Sequence, residues 1–291
     1  MKWTALAAAI EEMTGETFSL NRHSEINGGD INRAYLLEGS GQKYFVKLNQ
    51  ANLLDMFKAE SAGLSELADS GALKVPEPVC TGVVGNEAFI VMQYLELGGT
   101  GDVALLGEQL AEMHRCVSEQ FGWHRHNTIG STPQINVWTE DWVSFLSEQR
   151  FGYQLQLAQA NGAGAHLIDY GEQLIEHLGD FFTSYAPQAS LLHGDLWSGN
   201  YGMNREGQPV IFDPAVYFGD READIAMTEL FGGFGQRFYD AYNAAWRLDM
   251  GYAKRKMLYN LYHILNHFNL FGGAYATQAE GMIHQLLSEV K

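Results

Sequence analysis

In the stretch Leu191-Leu-His-Gly-Asp-Leu-Trp-Ser-Gly-Asn200 a histidine, a carboxylate, an indole and a carboxamide fall within ten residues, with glycines at 194 and 199. Asp195 and Asn200 stand five positions apart in a glycine-containing segment. Downstream, Tyr201-Gly-Met203 and Pro209-Val-Ile-Phe212 read as two short strands joined by the turn Asn204-Arg-Glu-Gly-Gln208 and followed by Asp213. The two feet of such a hairpin lie side by side, so Asn200 and Asp213 are expected to meet. An amide oxygen and a carboxylate make an incomplete oxygen cage. That cage suits Mg²⁺, which keeps waters and takes its remaining ligands from nucleotide phosphates. Asp195 is then left to orient a hydroxyl nucleophile and accept its proton. A base aspartate, a metal asparagine five residues on and a later metal aspartate are the working parts of phosphoryl transfer. His193 is expected to brace the loop through hydrogen bonds rather than to do chemistry.

These residues need elements that supply a nucleotide site. From Phe18 to about Tyr94 the pattern is strand-like, with β-rich runs at 34–37, 44–48, 79–84 and 88–94 and one helical segment near 52–69. Strand alternation puts Tyr44, Val46 and Leu48 on one face and Phe45 with Lys47 on the other. Glu60 falls on the helical face of Phe57, Leu64 and Leu67, and a carboxylate on an inward stripe wants a cation. Lys47 paired with Glu60 and reaching the α- and β-phosphates of ATP answers both oddities. Gly28 and Gly29, in Ile26-Asn-Gly-Gly-Asp-Ile-Asn-Arg-Ala-Tyr35, would let backbone N–H groups approach phosphate. Backbone groups at Gln93 and Leu95, where the β-rich part ends, would meet an adenine edge.

After the glycine-rich connector at 95–101 the periodicity turns helical, with helices expected at 103–119, 139–160, 165–185, 223–230, 236–246, 252–271 and 277–290. The resulting expectation is an α+β chain of two lobes, a small β-rich one at 1–95 and a larger helical one at 96–291. The 291 residues suffice for either one large domain or two lobes, and 46% hydrophobic content marks a globular chain. The two cysteines, Cys80 and Cys116, offer no disulfide framework and no metal pairing, which points to a reducing cytoplasm. The run at 1–10 is cut by Glu11 and Glu12 and reads as an amphipathic first helix rather than a leader. No stretch approaches the roughly 20 apolar residues of a membrane span. A formal charge of −17 repels phosphate backbones and anionic lipid, so neither nucleic acid nor membrane is an expected partner.

The chain resembles the fructosamine kinase, or ketosamine-3-kinase, family across nearly its whole length. That family is related to aminoglycoside phosphotransferases and choline kinases of the protein-kinase-like fold. The stretches that carry the resemblance are Leu192-His-Gly-Asp-Leu-Trp-Ser-Gly-Asn200, Ile211-Phe-Asp-Pro-Ala215, Gly219-Asp-Arg-Glu-Ala-Asp-Ile-Ala-Met227 and Asn127-Thr-Ile-Gly-Ser-Thr-Pro-Gln134. The resemblance implies Asp195 as base, Asn200 and Asp213 as Mg²⁺ ligands, Lys47 on ATP, and Asp224 as the acid that stabilises the catalytic loop. It further implies phosphorylation of the 3-hydroxyl of a ketosamine, small or protein-linked, whose unstable product decays to free the amine. Trp197 beside the base offers a flat face for a sugar, and Trp138 could line the same cleft, whereas Trp142 reads as core. Some family members carry a cysteine where this chain has Asp30, so thiol control there is not expected. Two rivals remain at this point, an aminoglycoside or other small-alcohol kinase on the same fold and a catalytically inactive nucleotide-binding regulator.

Overall fold

The computed structural model describes residues 2–26 and 31–290, so Gly28, Gly29 and Asp30 lie outside the described residues. The chain divides into two compact units, Met1–Gly101 with Gly202–Pro214, and Asp102–Tyr201 with Ala215–Lys291. The fold is α+β. The boundary expected at residue 95 left the Asp213 hairpin with the helical part. In the structure residues 202–214 group with the first unit instead, because the Gly98 and Gly99 N–H groups donate to Met203 O and Lys74 bridges Val210. Those pairings join segments remote in sequence, which local periodicity does not report.

In the first unit, helix α1 (Lys2–Thr14) precedes strands β1 (Leu20–Ile26), β2 (Arg33–Gly39) and β3 (Gln42–Gln50). Helix α2 (Leu54–Asp69) and strands β4 (Pro78–Val84) and β5 (Glu87–Gln93) follow. The five strands form one antiparallel sheet in the order β1-β2-β3-β5-β4. Leu6 and Ile10 of α1 join Leu37, Val46, Leu48 and Val91 in one buried cluster, so α1 covers the sheet face that carries the even residues of β3. The opposite face of β3 carries Lys47, and α2 packs against β4 and β5 with Phe57, Leu64 and Leu67 fully buried. Each such side chain contributes on the order of 1.5–3 kcal/mol of burial, enough to fix which way α2 turns its remaining residues. Residues Tyr201–Met203 and Pro209–Ile211 form the expected hairpin, closed by Asn204 and Gln208.

In the second unit the strand Ala189–Leu192 is the centre of a three-stranded sheet, between Tyr217–Gly219 and Val117–Ser118. Its four residues are all buried, which makes it a rigid base for the residues that follow. Helices surround it, including Val103–His114, Glu222–Leu230, Gln236–Ala245, Tyr252–Phe271 and Tyr275–Glu289. Three helical expectations are corrected here. The helix expected at 103–119 ends at His114, since Val117 and Ser118 pair with Ser190 and Ala189 instead. The helix expected at 139–160 starts at Trp142, where Asp141 caps it by accepting the Ser144 N–H at 2.6 Å, and it widens into a π-helix at Leu146–Gly152. The helix expected at 165–185 stops at Glu176, and a 3₁₀ segment at Leu178–Phe182 contains Gly179, a poor helix former. Among the described residues no helix is long and apolar enough to cross a membrane.

His263, on the Tyr252–Phe271 helix, is buried, and burial followed by the charge of His267 pushes its imidazole down to about 3. Burial also lowers His114. Both are therefore neutral in the folded chain, while in the unfolded chain they take up protons below about pH 6.5. The unfolded state then binds more protons, so stability falls as pH drops from about 6.5 towards 3. For His263 this amounts to about 2 kcal/mol at pH 5 relative to pH 7. Melting temperatures should drop over that interval, and His263→Gln should flatten the dependence; a melting temperature constant from pH 7 to 5 contradicts it.

Candidate active site

In the first unit, Lys47 Nζ lies 2.6 Å from Glu60 Oε1 and 2.5 Å from Asp213 Oδ1. The Glu60 contact is the pairing the sequence suggested; the Asp213 contact was not foreseen. Burial lowers the Lys47 ammonium, but the two carboxylates outweigh it and hold the group above its ordinary value, so it stays charged. Burial pushes Glu60 up against the pull of Lys47. Asp213 has a left-handed backbone, φ 57°, and its side chain is 45% exposed. One oxygen is occupied by Lys47, and the partial exposure of the side chain leaves the carboxylate accessible to a cation or a solvated ligand. Gln93 ends β5, its N–H donating to Glu77 O at 2.8 Å, and Leu95 follows in irregular chain.

In the second unit, the end of the Ala189–Leu192 strand delivers His193, Gly194 and Asp195. Asp224 organises the turn, accepting the His193 N–H at 2.7 Å and the Gly194 N–H at 2.8 Å. A third donor is His114 Nε2 at 3.2 Å, whose Nδ1 receives the Tyr242 hydroxyl at 2.8 Å, and Arg221 in turn donates to that hydroxyl at 3.0 Å. The Arg221, Tyr242 and His114 donors thus run in one direction and end on a carboxylate. Burial pushes Asp224 up, but these donors outweigh it and leave the carboxyl below its ordinary value. Gly194 needs its left-handed backbone, φ 81°, and a Cβ there would overlap the Ala215 carbonyl. His193 Nδ1 accepts the Asp195 N–H at 3.2 Å, a bracing contact inside the turn.

Asn200 Nδ2 donates to Asp195 O at 2.8 Å and more weakly to Asp195 Oδ2 at 3.3 Å, which commits the amide nitrogen and leaves its oxygen for a ligand. Among the described residues no group of three or more His, Cys, Asp or Glu gathers into a metal cage. Within its own unit, each of the two expected oxygen donors, the Asn200 amide and the Asp213 carboxylate, is of the hard-oxygen type that Mg²⁺ accepts. Trp197 is 37% exposed, and a Cβ at Gly199 would strike its indole, so glycine there makes room for the ring. Phe231 meets Trp197 edge-on at 6.1 Å, and His267 lies 5.1 Å beyond Phe231. His267 Nδ1 donates to His263 O at 2.7 Å, which fixes the orientation of the ring. Sequence reasoning missed Phe231 and His267; His267 carries helical spacing from core residues, which is also what packing produces, and Phe231 lies just past a helix end. Trp138 packs on Phe218 at 6.1 Å, with no ring contact to Trp197 among the described residues, and Trp142 is core, stacked on Phe145 and donating to Tyr259.

The family model for fructosamine kinase matches residues 2–289. The Synechocystis protein named probable ketoamine kinase slr1563 is 46% identical, over 98% of this chain and 97% of its own. The chloroplastic protein-ribulosamine 3-kinase of Arabidopsis thaliana is 38% identical, over 100% of this chain and 92% of its own. A crystal structure from Haemophilus somnus 129PT, named for fructosamine-3-kinase, superposes with a TM-score of 0.90 at 28% identity, covering 98% of both chains. With a catalytic-type loop on a buried strand, a lysine held by two carboxylates and similarity over its full length, the chain belongs to the fructosamine kinase family.

Proposed function

We propose that this chain is an ATP-dependent kinase that phosphorylates the 3-hydroxyl of ketosamines, small or protein-linked, as a deglycation repair activity. The observation that carries the reading is the Lys47 ammonium held by both Glu60 and Asp213, a buried cation oriented by two carboxylates, in a member of this family. Lys47 contacts the α- and β-phosphates of ATP and Glu60 fixes its position. Gly28 and Gly29, outside the described residues, are assigned to the phosphates by the sequence alone, and backbone groups at Gln93 and Leu95 would meet the adenine. Asp213 and Asn200 are the residues that would hold Mg²⁺, and the ion would supply positive charge against the phosphate oxygens. Asp195 accepts the proton of the acceptor hydroxyl as its oxygen bonds to the γ-phosphorus and the bond to ADP breaks. His193 and Asp224 hold the loop. The two cysteines, not joined in a disulfide, and the acidic charge are in keeping with a cytoplasmic setting and with acceptors that are neutral or cationic.

Trp197, with Phe231 and His267 behind it, forms the sugar wall. Trp197→Ala should raise KM for a ketosamine by about tenfold or more, the loss expected of a stacked aromatic platform. KM for ATP should stay within about twofold. Normal acceptor kinetics in this variant remove the sugar-binding role from Trp197.

The function itself is tested by offering Mg-ATP with fructose-, ribulose- and erythrulose-lysine, choline and kanamycin, and locating the phosphate by NMR. Transfer to the 3-hydroxyl of the ketosamines supports the reading; transfer to kanamycin or choline alone replaces it with the small-alcohol kinase, which the relatives do not favour. Absence of any transfer, with nucleotide still bound, identifies the inactive regulator.

A further inference from the structure

The segment 127–134, singled out in the sequence, has no part in the chemistry above. It forms a small hairpin in the second unit, Asn127–Ile129 with Thr132–Gln134, in which Asn127 pairs with Gln134. Both side chains are buried, as are Asn136 and Arg150. Arg150 is only 1% exposed, yet among the described residues no carboxylate pairs with it. Its guanidinium donates to Ile135 O at 2.6 Å and Asn136 Oδ1 at 2.8 Å, and is stacked near the rings of Phe145 and Tyr217. A desolvated cation without a counter-ion costs several kcal/mol, so its retention calls for a reason.

The reason lies in direction. Arginine can only donate, so Asn136 must turn its oxygen towards Arg150 and its nitrogen away. Asn136 Nδ2 then donates to Asn127 Oδ1 at 2.9 Å, which forces Asn127 Nδ2 onto Val216 O at 2.8 Å. Gln134 is fixed in the same sense. Its oxygen accepts the Tyr262 hydroxyl at 2.8 Å, and its nitrogen donates to Asn127 Oδ1 at 2.9 Å and to Ala215 O at 3.0 Å. Every amide in the set has a single orientation, and the set ends on two successive carbonyls, Ala215 and Val216. The π-helix contributes by turning Gln149 inward together with Arg150; Gln149 clamps both the N–H and the carbonyl of Val137.

Ala215 is where this network reaches the catalytic loop. Its N–H donates to His193 O at 2.8 Å, and its carbonyl is the group that leaves no space for a Cβ at Gly194. We propose that Asn127, Gln134, Asn136 and Arg150 form a positioning network that sets the place of Asp195 through the Ala215 peptide, with Gln134 as its principal positioning residue. The inference rests on the reading of Asp195 as the base. Asp224 fixes the loop through its N–H groups, and Gln134 fixes it from the other side through a carbonyl. A misplacement of about 1 Å at a reacting group costs on the order of 10²-fold in rate, so the network acts on turnover rather than on nucleotide affinity.

The test is steady-state kinetics of Gln134→Met, which keeps volume but offers Ala215 O no donor. A second variant, Gln134→Leu, removes both the donor to Ala215 O and the acceptor for Tyr262. In both, kcat with a ketosamine acceptor should fall about 10- to 100-fold while KM for ATP and for the acceptor stay within about threefold. Ile283→Val, buried on the Tyr275–Glu289 helix away from the network, serves as the stability control and should lower the melting temperature without lowering kcat. If only one Gln134 variant folds, that one decides. Normal kcat, or a loss that appears equally in KM for ATP, overturns the network's role. An Asp195→Asn enzyme that turns over normally removes the base itself, whereas a dead Asp195→Asn beside an active Gln134→Met removes only this inference.

Discussion

Asp195→Asn should reduce phosphoryl transfer by roughly 10²- to 10⁴-fold while leaving nucleotide binding intact. The substitution preserves size and planarity, and the Asp195 N–H to His193 Nδ1 contact uses the backbone alone, so the turn is retained. Asn200 Nδ2 also keeps its main partner, the Asp195 carbonyl, so the metal amide is not released. The change removes the proton acceptor and weakens the 3.3 Å contact from Asn200 to the side chain. Because phosphoryl transfer relies chiefly on positioning and electrostatics, the residual rate should remain measurable rather than vanish. Turnover with fructose-lysine and ribulose-lysine, paired with calorimetric titration of ATP, separates the two effects. Turnover within about threefold of the unmodified enzyme excludes Asp195 as the base, and a parallel loss of ATP affinity shows that the loop, not the proton, was disturbed.

How far the sequence reached depends on whether a feature is local. The alternation around Lys47 and the inward stripe of α2 are periodic, and the Lys47 to Glu60 contact follows from two short patterns read side by side. The Asp195 to Asn200 interval is likewise a property of one loop. Features that need a remote partner were not legible. Residues 202–214 join the first unit through pairings with Gly98, Gly99 and Lys74, far away in the chain. The helix at 103–119 was overrun because Val117 finds a strand partner at Ser190. Asp224 was assigned to loop support by resemblance, but the donors behind it, His114, Tyr242 and Arg221, come from three separate segments. Arg150 falls in the helix expected at 139–160, where no local pattern marks it; the π-helix and the 127–136 segment together show that it is buried.

Asp213→Asn should abolish Mg-dependent tightening of nucleotide binding and cut turnover by 10²-fold or more, since a neutral amide replaces the anionic oxygen offered to the cation. Asparagine is the informative choice because Asp213 has φ 57°, a conformation that asparagine tolerates and alanine resists. An alanine variant would mix ligand loss with backbone strain. The Lys47 contact complicates the reading in a useful way: the substitution weakens one of its two carboxylate partners but leaves Glu60 in place at 2.6 Å. Burial lowers Lys47 when its anions are taken away, yet a remaining buried carboxylate keeps the ammonium charged. Glu60→Gln therefore provides the matching control. It weakens the same lysine from the other side without touching a metal ligand. If Asp213 acts through the cation, titrating Mg²⁺ at fixed ATP gives a lost response in Asp213→Asn and a retained one in Glu60→Gln. If Asp213 acts only by orienting Lys47, the two variants lose turnover alike and both keep their Mg²⁺ response, and the metal assignment falls.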